Sequence, residues 1–259
     1  MHASKAEMSA RLSADLYALT HRGTPGDTAF YARACAGARS VLELGSGYGR
    51  MLAVLARAGR VVVGLELDAA LLARAKRNLQ RLALAKRRSL RVLPGDMRHF
   101  ELERRFECAV LPYNGLYCLL TQRDALACFR AVRAALEPGG RFVFDVWNAE
   151  AFHRESASGA SADDPEPVVT VRHAARTWDV FERSRVRRSL QRLNVTYDYV
   201  PREGGTPIRI SIAQRYYRAA ELAELLARAG FAVEHRYGDF SGTRFTPRSE
   251  QLIVVARAI

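Results

Sequence analysis

The sequence has few cysteines, no cysteine–histidine pattern typical of a metal site and no long apolar run. None of its cysteines forms a Cys-x-x-Cys pair or lies near a histidine at metal-ligand spacing, so we expect no metal site. The apolar patterns around them predict buried, reduced thiols at Cys35, Cys108, Cys118 and Cys128. No segment approaches the length of a membrane span, and the N-terminus lacks the apolar region of a signal peptide. We therefore expect a cytoplasmic protein without a membrane partner.

Lysine is also scarce, although positive charge is in excess. Lysine appears only at Lys5, Lys76 and Lys86, so arginine supplies most of the net charge of +13. Such an excess is compatible with a nucleic-acid partner or an acidic substrate. The densest basic segment, residues 74–91, falls on and just after a predicted outer helix, where a solvated face is the favoured interpretation. A nucleic-acid partner is therefore the less favoured alternative.

The stretch Val41-Leu42-Glu43-Leu44-Gly45-Ser46-Gly47-Tyr48-Gly49-Arg50 organises the rest of the chain. A short apolar run carries an acidic residue near its end, three glycines follow at every second position, and a helical pattern begins at once. This order predicts a buried strand, a tight loop and a helix start. The glycines let the main chain approach a ligand closely. The carboxylate of Glu43 suits a cationic ligand group, such as the amino group of an amino acid.

Three further predicted strands follow in the order of an alternating strand–helix fold. Arg60 to Leu67 is an apolar run that ends at a second carboxylate, Glu66, one strand–helix–strand unit after Glu43. Ser89 to Leu93 and Phe106 to Leu111 are the next two. Ligands of open α/β sheets bind beyond the carboxyl ends of the strands, near the switch in strand order. We therefore expect the loops after these strands to form one site.

These segments resemble the class I S-adenosylmethionine (SAM) methyltransferases, with residues 41–50 as motif I. The resemblance covers about residues 38–150 and 215–259. It implies an α/β fold with a Rossmann-like sheet of seven strands, the last of them antiparallel. It also implies SAM as the methyl donor and S-adenosylhomocysteine as the product. A dinucleotide fold would instead carry Gly-x-Gly-x-x-Gly at this position.

The resemblance also implies a role for each part of the site. Glu43 and the glycine loop would hold the methionine end of SAM, with Arg50 as a contact of its carboxylate. Glu66 would accept hydrogen bonds from the ribose hydroxyls, and Asp96 with Met97 would hold the adenine. The expected cofactor-binding residues are Glu43, Gly45, Ser46, Gly47, Gly49, Arg50, Glu66, Leu67, Asp96, Met97 and Leu111.

The loop Pro112-Tyr113-Asn114 resembles the Pro-aromatic-Asn/Ser loop of small-molecule methyltransferases, and a loop-capping role for its asparagine stays open. An oxygen acceptor would need a base, for which His21, His153 and Tyr17 are candidates, whereas an unprotonated amine needs mainly orientation. No decisive base is visible, which favours an amine slightly. The expected catalytic residues are Asn114, Tyr17 and His21. The expected substrate contacts are Tyr113, Tyr117, Trp147, Asn148 and Tyr217.

The remaining patterns divide the chain into five regions. These are an N-terminal helical cap (1–37), the SAM-binding core (38–150), a flexible linker (151–167), a β insert (168–217) and the C-terminal part of the core (218–259). Asp27 is the expected cap of the second helix. Alternating apolar residues in the insert predict three or four antiparallel strands after a fifth strand, expected at Arg141 to Val146. The insert could extend the wall of the substrate pocket or make a homodimer contact.

Two other functions stay open from the sequence. The first is methylation of RNA or DNA, which would show steeply salt-dependent binding. The second is a nicotinamide-dependent oxidoreductase or a catalytically silent nucleotide-binding module. The carboxylate of Glu43 before the glycines and the loop Gly95-Asp96-Met97 argue against this second alternative. The favoured function is methyl transfer from SAM to an N or O atom of a small organic molecule by in-line displacement.

Overall fold

The computed structural model describes residues 4–56, 59–155 and 164–259. The contacts divide the chain into two compact units: a larger one, Gly23–Phe152 with Tyr217–Ile259, and a smaller one, Met1–Arg22 with His153–Tyr216. The helical cap expected at residues 1–37 is therefore shared between the two units. Residues 156–163 of the expected flexible linker lie outside the described residues, whereas residues 151–155 form the end of a helix.

The secondary structure follows the predicted alternation of strands and helices. The helices are α1 (Lys5–Thr20), α2 (Asp27–Ala34), α3 (Arg50–Leu55), α4 (Ala69–Leu79), α5 (Leu84–Arg87), α6 (Gln122–Ala135), α7 (Ala149–Glu155) and α8 (Ala219–Arg228). The strands are β1 (Ser40–Leu44), β2 (Val61–Glu66), β3 (Leu90–Pro94), β4 (Phe106–Leu111), β5 (Leu136–Trp147), β6 (Glu166–His173), β7 (Arg176–Arg187), β8 (Arg192–Pro201), β9 (Ile208–Arg215), β10 (Phe231–Tyr237) and β11 (Gln251–Ala258).

The larger unit is built on a seven-stranded sheet with the order β10-β11-β5-β4-β1-β2-β3. Strands β1 to β5 run parallel, whereas β11 is antiparallel to both β5 and β10. This confirms the predicted sheet. Strand β1 is buried along its whole length, because it lies in the middle of the sheet with both faces covered. Its register places Glu43 opposite Gly64 of β2 and Val110 of β4.

Helices α2 and α3 pack in one apolar cluster with one face of the sheet. The cluster includes Tyr31 and Leu52 from the helices and Val41, Val110 and Val143 from the strands. Side chains two residues apart on a strand share a face. Glu43 follows Val41 on this face at the carboxyl end of its strand. Asp145 follows Val143 in the same way, so two acidic residues lie under the same helical layer.

The smaller unit contains the insert, a four-stranded antiparallel sheet in the order β6-β7-β8-β9. This confirms the prediction of three or four antiparallel strands. Leu16 of α1 packs with Trp178, Val180 and Tyr199 of the insert. The first helix therefore packs with the insert, and α1 begins with a capping box formed by Ser4 and Glu7.

Three local expectations were wrong. The cap of α2 is Gly26 and makes no side-chain hydrogen bond, because the carboxylate of Asp27 is used elsewhere. Strand β5 begins at Leu136 rather than at Arg141, because the segment before Arg141 already pairs with β4, with an irregular register. Cys118 is exposed, whereas the other cysteines are buried. Among the helices of the described residues, none is long and apolar enough to cross a membrane.

Candidate active site

The loop after β1 has the left-handed backbone that its glycines allow. Gly45, Gly47 and Gly49 have φ angles of 57°, 55° and 82°, a region that a Cβ atom disfavours. At Gly47, a Cβ atom would meet no other atom within 4 Å, so the space beside this residue is open. The loop is fixed to β2, because the N–H of Ser46 donates to the carbonyl oxygen of Leu65 at 2.9 Å.

Glu43 lies at the carboxyl end of β1 beside this loop and is 3% exposed. Its Oε2 atom is buried and accepts no hydrogen bond within the part of the chain that the structure describes. Burial raises the pKa of Glu43 well above its usual value; Arg50 opposes the shift and Glu66 adds to it. A buried acceptor without a donor is costly. The carboxylate is therefore suited to a ligand that supplies a cationic donor.

Glu66, at the end of β2, is fastened to the same loop. Its Oε2 accepts the N–H of Gly47 at 2.6 Å, and its Oε1 accepts the N–H of Asp68 at 2.8 Å. Burial raises its pKa, and the hydrogen bonds from Asp68 and Gly47 oppose this shift. A carboxylate has about four acceptor positions, so both oxygens keep capacity for ligand hydroxyls. The two predicted carboxylates thus lie on neighbouring strand ends that one glycine loop connects.

Arg50 is held by a carboxylate that the sequence analysis had interpreted as a helix cap. Its Nη1 and Nη2 donate to Oδ1 and Oδ2 of Asp27 at 2.9 and 2.6 Å, and the Asp27 side chain is only 4% exposed. Gly23 lies against the guanidinium, where a Cβ atom would come within 2.4 Å of Cζ. The guanidinium carbon lies 5.8 Å from the centre of the Tyr113 ring. Arg50 is therefore fixed between α2 and the loop after β4.

The loop after β4 begins with two non-glycine residues in the left-handed region, Tyr113 and Asn114, with φ angles of 56° and 59°. Oδ1 of Asn114 accepts the N–H of Trp147 at 2.6 Å, and its carbonyl oxygen accepts the N–H of Tyr117 at 2.8 Å. These contacts support the loop-capping interpretation. Because Oδ1 is occupied, Nδ2 is the group of this amide through which it could still orient an acceptor.

The other expected substrate contacts serve mainly as supports in this structure. The Tyr117 hydroxyl donates to the carbonyl oxygen of Trp147 at 2.7 Å, and the Tyr217 hydroxyl donates to that of Leu119 at 2.6 Å. Both tyrosines are buried. Asn148 donates through Nδ2 to the carbonyl oxygen of Ser249 at 2.7 Å. Trp147, by contrast, is half-buried.

At the expected adenine loop, the structure adds a residue that the sequence analysis missed. Arg98 donates to both carboxylate oxygens of Asp96, at 3.0 Å from Nε and 2.6 Å from Nη2. Hydrogen bonding with this guanidinium lowers the pKa of Asp96. Met97 is half-buried, Leu67 is exposed and Leu111 is buried. Arg98 is only two residues from Asp96, so their closeness was visible in the sequence. The sequence did not indicate that the two side chains form an ion pair.

Tyr17 and His21, two of the expected catalytic residues, belong to the smaller unit. Their rings stack with a centroid distance of 4.0 Å, and Nδ1 of His21 lies 3.1 Å from the carbonyl oxygen of Tyr17. Burial lowers the pKa of His21 to about 4, so this imidazole is neutral at pH 7. In the same unit, Nδ1 of His153 lies 3.0 Å from the hydroxyl oxygen of Tyr216.

The larger unit has two acidic strand ends, a loop with three left-handed glycines and a parallel sheet whose order reverses beside that loop. This combination defines a class I methyltransferase type of site. A family model described as a methyltransferase domain matches residues 41–140. The structure of the CcbJ methyltransferase from Streptomyces caelestis is similar with a TM-score of 0.77 and 29% identity, covering 92% of this chain and 98% of that one.

Two curated relatives are methyltransferases as well. The cypemycin N-terminal methyltransferase of a Streptomyces species is 26% identical over 223 residues, 84% of this chain and 82% of that protein. The dTDP-3-amino-3,6-dideoxy-alpha-D-glucopyranose N,N-dimethyltransferase of Streptomyces fradiae is 31% identical over 147 residues, 57% of this chain and 50% of that protein. The match over residues 41–140 confirms the methyltransferase domain that the sequence predicted.

Proposed function

We propose that this methyltransferase transfers the methyl group of SAM to a nitrogen atom of a small organic amine by in-line displacement. One observation carries the placement of SAM: the buried Oε2 of Glu43, on the strand that leads into the glycine loop, has no donor within the described residues. An aminoacyl nucleoside would supply an ammonium group to this oxygen. A Cβ atom at Gly47 would fill space that the nucleoside needs. The residues present therefore fit SAM.

The other proposed contacts with SAM come from side chains near the glycine loop and the neighbouring strand ends. Arg50 would bind the carboxylate of the methionine part, and Asp27 holds it in place for this purpose. Glu66 would accept hydrogen bonds from the ribose hydroxyls, and Asp96 with Met97 would contact the adenine. When bound, SAM supplies a methyl group that its sulfonium charge already activates. The protein must then align a nucleophile and exclude water, and alignment can contribute on the order of 7–11 kcal/mol.

The charge balance of the site supports a cationic ligand. Glu43, Asp27 and Asp145 are buried carboxyl groups, and Glu43 and Asp27 lie close enough to Arg50 to interact with its guanidinium. The carboxyl groups outnumber this guanidinium, so a sulfonium and an ammonium group are favoured ligands. A pyrophosphate would meet the carboxylate of Glu43 at the loop where a dinucleotide fold has none. This balance argues against the nicotinamide-dependent alternative.

For the acceptor we propose an amine, oriented by Asn114 and the Tyr113 ring, while the roles of Tyr17 and His21 in the smaller unit stay predictions. The supporting relatives are named as an N-terminal methyltransferase and an amino-sugar N,N-dimethyltransferase. An amine that arrives unprotonated needs orientation rather than a strong base. A cytoplasmic location and a homodimer through the insert remain predictions.

Methylation of a nucleic acid is the alternative function that the positive net charge allows. The basic segment lies on α4, α5 and the loop before β3, and most of its cationic side chains are exposed. Exposed positive charge of this kind is also what a solvated helix face presents. Binding of single-stranded or double-stranded oligonucleotides should therefore be absent at physiological salt. Affinity that falls steeply with salt concentration would instead support nucleic-acid methylation.

Calorimetry with SAM and NADH, followed by a metabolite screen, tests the proposed function. We expect SAM and S-adenosylhomocysteine to bind and raise the Tm, whereas NADH should do neither. The screen should offer amino sugars, peptides with a free N-terminus and other amines beside matched alcohols and phenols. Formation of S-adenosylhomocysteine with amines only would support the proposal. Turnover with alcohols or phenols alone, or binding of NADH without SAM, would contradict it.

A further inference from the structure

Asp145 lies near the end of β5 and is 1% exposed, yet neither the sequence pattern nor the proposed SAM contacts give it a role. Its Oδ1 accepts the hydroxyl of Tyr31 at 2.5 Å and the N–H of Tyr113 at 2.9 Å. Its carbonyl oxygen accepts the N–H of Asn114 at 3.2 Å. Asp145 therefore accepts hydrogen bonds from two consecutive backbone amides of the loop after β4, those of Tyr113 and Asn114. Tyr31 of α2 binds Asp145 from the face of the sheet.

The segment that Asp145 holds is strained. Tyr113 and Asn114 both have φ near 60°, and a left-handed non-glycine residue costs roughly 1–3 kcal/mol. Asparagine tolerates this region better than tyrosine does. The hydrogen bonds that the N–H groups of Tyr113 and Asn114 donate to Asp145, and the bond from the N–H of Trp147 to Asn114, offset the cost. Such strain persists only where the surrounding structure over-determines it, and it is concentrated at functional sites.

The strained turn also lies against Arg50, the residue expected to bind the methionine end of SAM. The Tyr113 ring lies over the guanidinium of Arg50, which Asp27 fixes from α2. Tyr31 lies on the same helix and bonds to Asp145. A change at Asp145 would thus move the turn relative to Arg50 without removing any atom of the SAM site itself.

We propose that Asp145 is a positioning residue for methyl transfer, and that its carboxylate, with Tyr31, holds the Tyr113–Asn114 turn in the conformation that aligns the acceptor. The proposal rests on the proposed function in one respect: the turn must face the methyl acceptor. In this proposal Asp145 acts through the turn that it holds and not through a contact with SAM or the acceptor. Its effect should therefore appear in the rate of transfer and in the order of the turn, and much less in the affinity for SAM.

The charges around Asp145 allow a pH test. Asp27 and Tyr31 from α2 and Tyr113 from the loop are the ionisable residues that interact with it. Burial raises the pKa of Asp145 to about 6, and Asp27 adds to the shift, while the hydrogen bonds from Tyr31 and Tyr113 oppose it. The carboxylate is therefore charged above about pH 6 and neutral below. Hydrogen bonds to a charged acceptor are stronger than those to a neutral one.

The experiment compares Asp145→Asn and Tyr31→Phe with Glu107→Gln in the full chain. Glu107 lies on β4 at the opposite end of the sheet and pairs with the exposed Arg39, so it controls for the loss of a carboxylate. Three quantities are measured: calorimetric affinity for SAM, hydrogen exchange of the amides of Tyr113 and Asn114, and kcat and KM with an amine from the metabolite screen. The ratio of wild-type to Asp145→Asn kcat is followed across pH 5–8.

We expect Asp145→Asn to lower kcat by about tenfold or more, with SAM affinity within about threefold of wild type. Exchange of the two amides should become faster, Tyr31→Phe should show smaller changes in the same directions, and Glu107→Gln should match wild type. The kcat ratio should shrink towards one below about pH 6, where wild type loses the same charge. Comparing ratios removes the ionisation of the amine acceptor from the profile.

A folded Asp145→Asn protein with wild-type kcat and wild-type exchange at Tyr113 and Asn114 would overturn the proposal. Faster exchange with an unchanged kcat would also overturn it, because Asp145 would then be a structural support only. If wild type fails to bind SAM, the proposed function fails while the exchange result still shows whether Asp145 orders the turn. The two failures are therefore distinguishable.

Discussion

Replacing Glu43 with glutamine is expected to weaken SAM binding by roughly 10–100-fold, because a hydrogen bond to a charged group contributes about 1.5–3 kcal/mol. The glutamine keeps the shape of the side chain and a carbonyl oxygen, but it removes the charge that would balance the ammonium group and replaces one acceptor oxygen with an NH2 donor. Calorimetry measures the loss directly. Glu107→Gln provides the matched control, because Glu107 is a carboxylate at the opposite end of the same sheet.

The stability of the same variant should change in the opposite direction. Burial raises the pKa of Glu43 in the folded chain, so its ionised form costs stability at pH values above the usual pKa of 4.5. Glutamine removes this cost, and the ligand-free variant should melt at or above the Tm of wild type, while SAM raises its Tm much less. A lower Tm without ligand, or an undiminished Tm increase with SAM, would contradict the assigned role of Glu43.

Replacing Gly47 with alanine should abolish most SAM binding, with an expected loss of at least about 30-fold, because the added methyl group occupies space that the ligand would fill. A left-handed alanine also costs about 1–2 kcal/mol of stability. Gly139→Ala separates the two effects. Gly139 has a φ of 73° and open space around it, and it lies in the first part of β5, away from the strand ends that form the site.

Urea denaturation and SAM calorimetry on both glycine variants test this comparison. We expect similar losses of unfolding free energy and a loss of SAM affinity for Gly47→Ala alone. Equal SAM affinities in the two variants would show that the ligand does not pass close to Gly47. The placement of the nucleoside beside the glycine loop would then be wrong, although the family of the protein would stand.

The sheet and its acidic strand ends were predictable because their signals are local. Each parallel strand is an apolar run between turn residues, and the side of the sheet where loops meet follows from the alternation of strands and helices. Glu43 and Glu66 both end such runs, and the structure connects them through the N–H of Gly47. The strands and the two carboxylates could therefore be predicted from the same local pattern, an apolar run that ends in an acidic residue.

The partners of these residues were not predictable, because they come from distant parts of the chain. Asp27 follows a glycine–proline break and had the position of a helix cap, but its partner is Arg50. Asp145 ends an apolar strand much as Glu43 does, and only the three-dimensional structure shows that it bonds to Tyr31 and Tyr113. Residue type alone does not indicate which acidic strand end receives a ligand and which supports a loop.

The aromatic residues show the same limit. The sequence placed Tyr117 and Tyr217 in an aromatic-lined substrate pocket, whereas the structure buries both and directs their hydroxyls to main-chain carbonyls. Tyrosine is common both in cores and in binding sites, because it combines a large apolar ring with one polar atom. The grouping of α1 with the insert was hidden for a related reason: Leu16 meets Trp178 and Tyr199, far away in the sequence.

The central claim is that the carboxylate of Glu43 binds the amino group of an aminoacyl nucleoside, and a comparison of two ligands tests it most directly. S-adenosylhomocysteine carries this amino group, whereas methylthioadenosine shares the nucleoside and lacks it. The ratio of their Kd values is measured by calorimetry in wild type and in Glu43→Gln. We predict that wild type prefers S-adenosylhomocysteine by at least about tenfold and that the variant loses most of this preference. An equal preference in both proteins would contradict the claim.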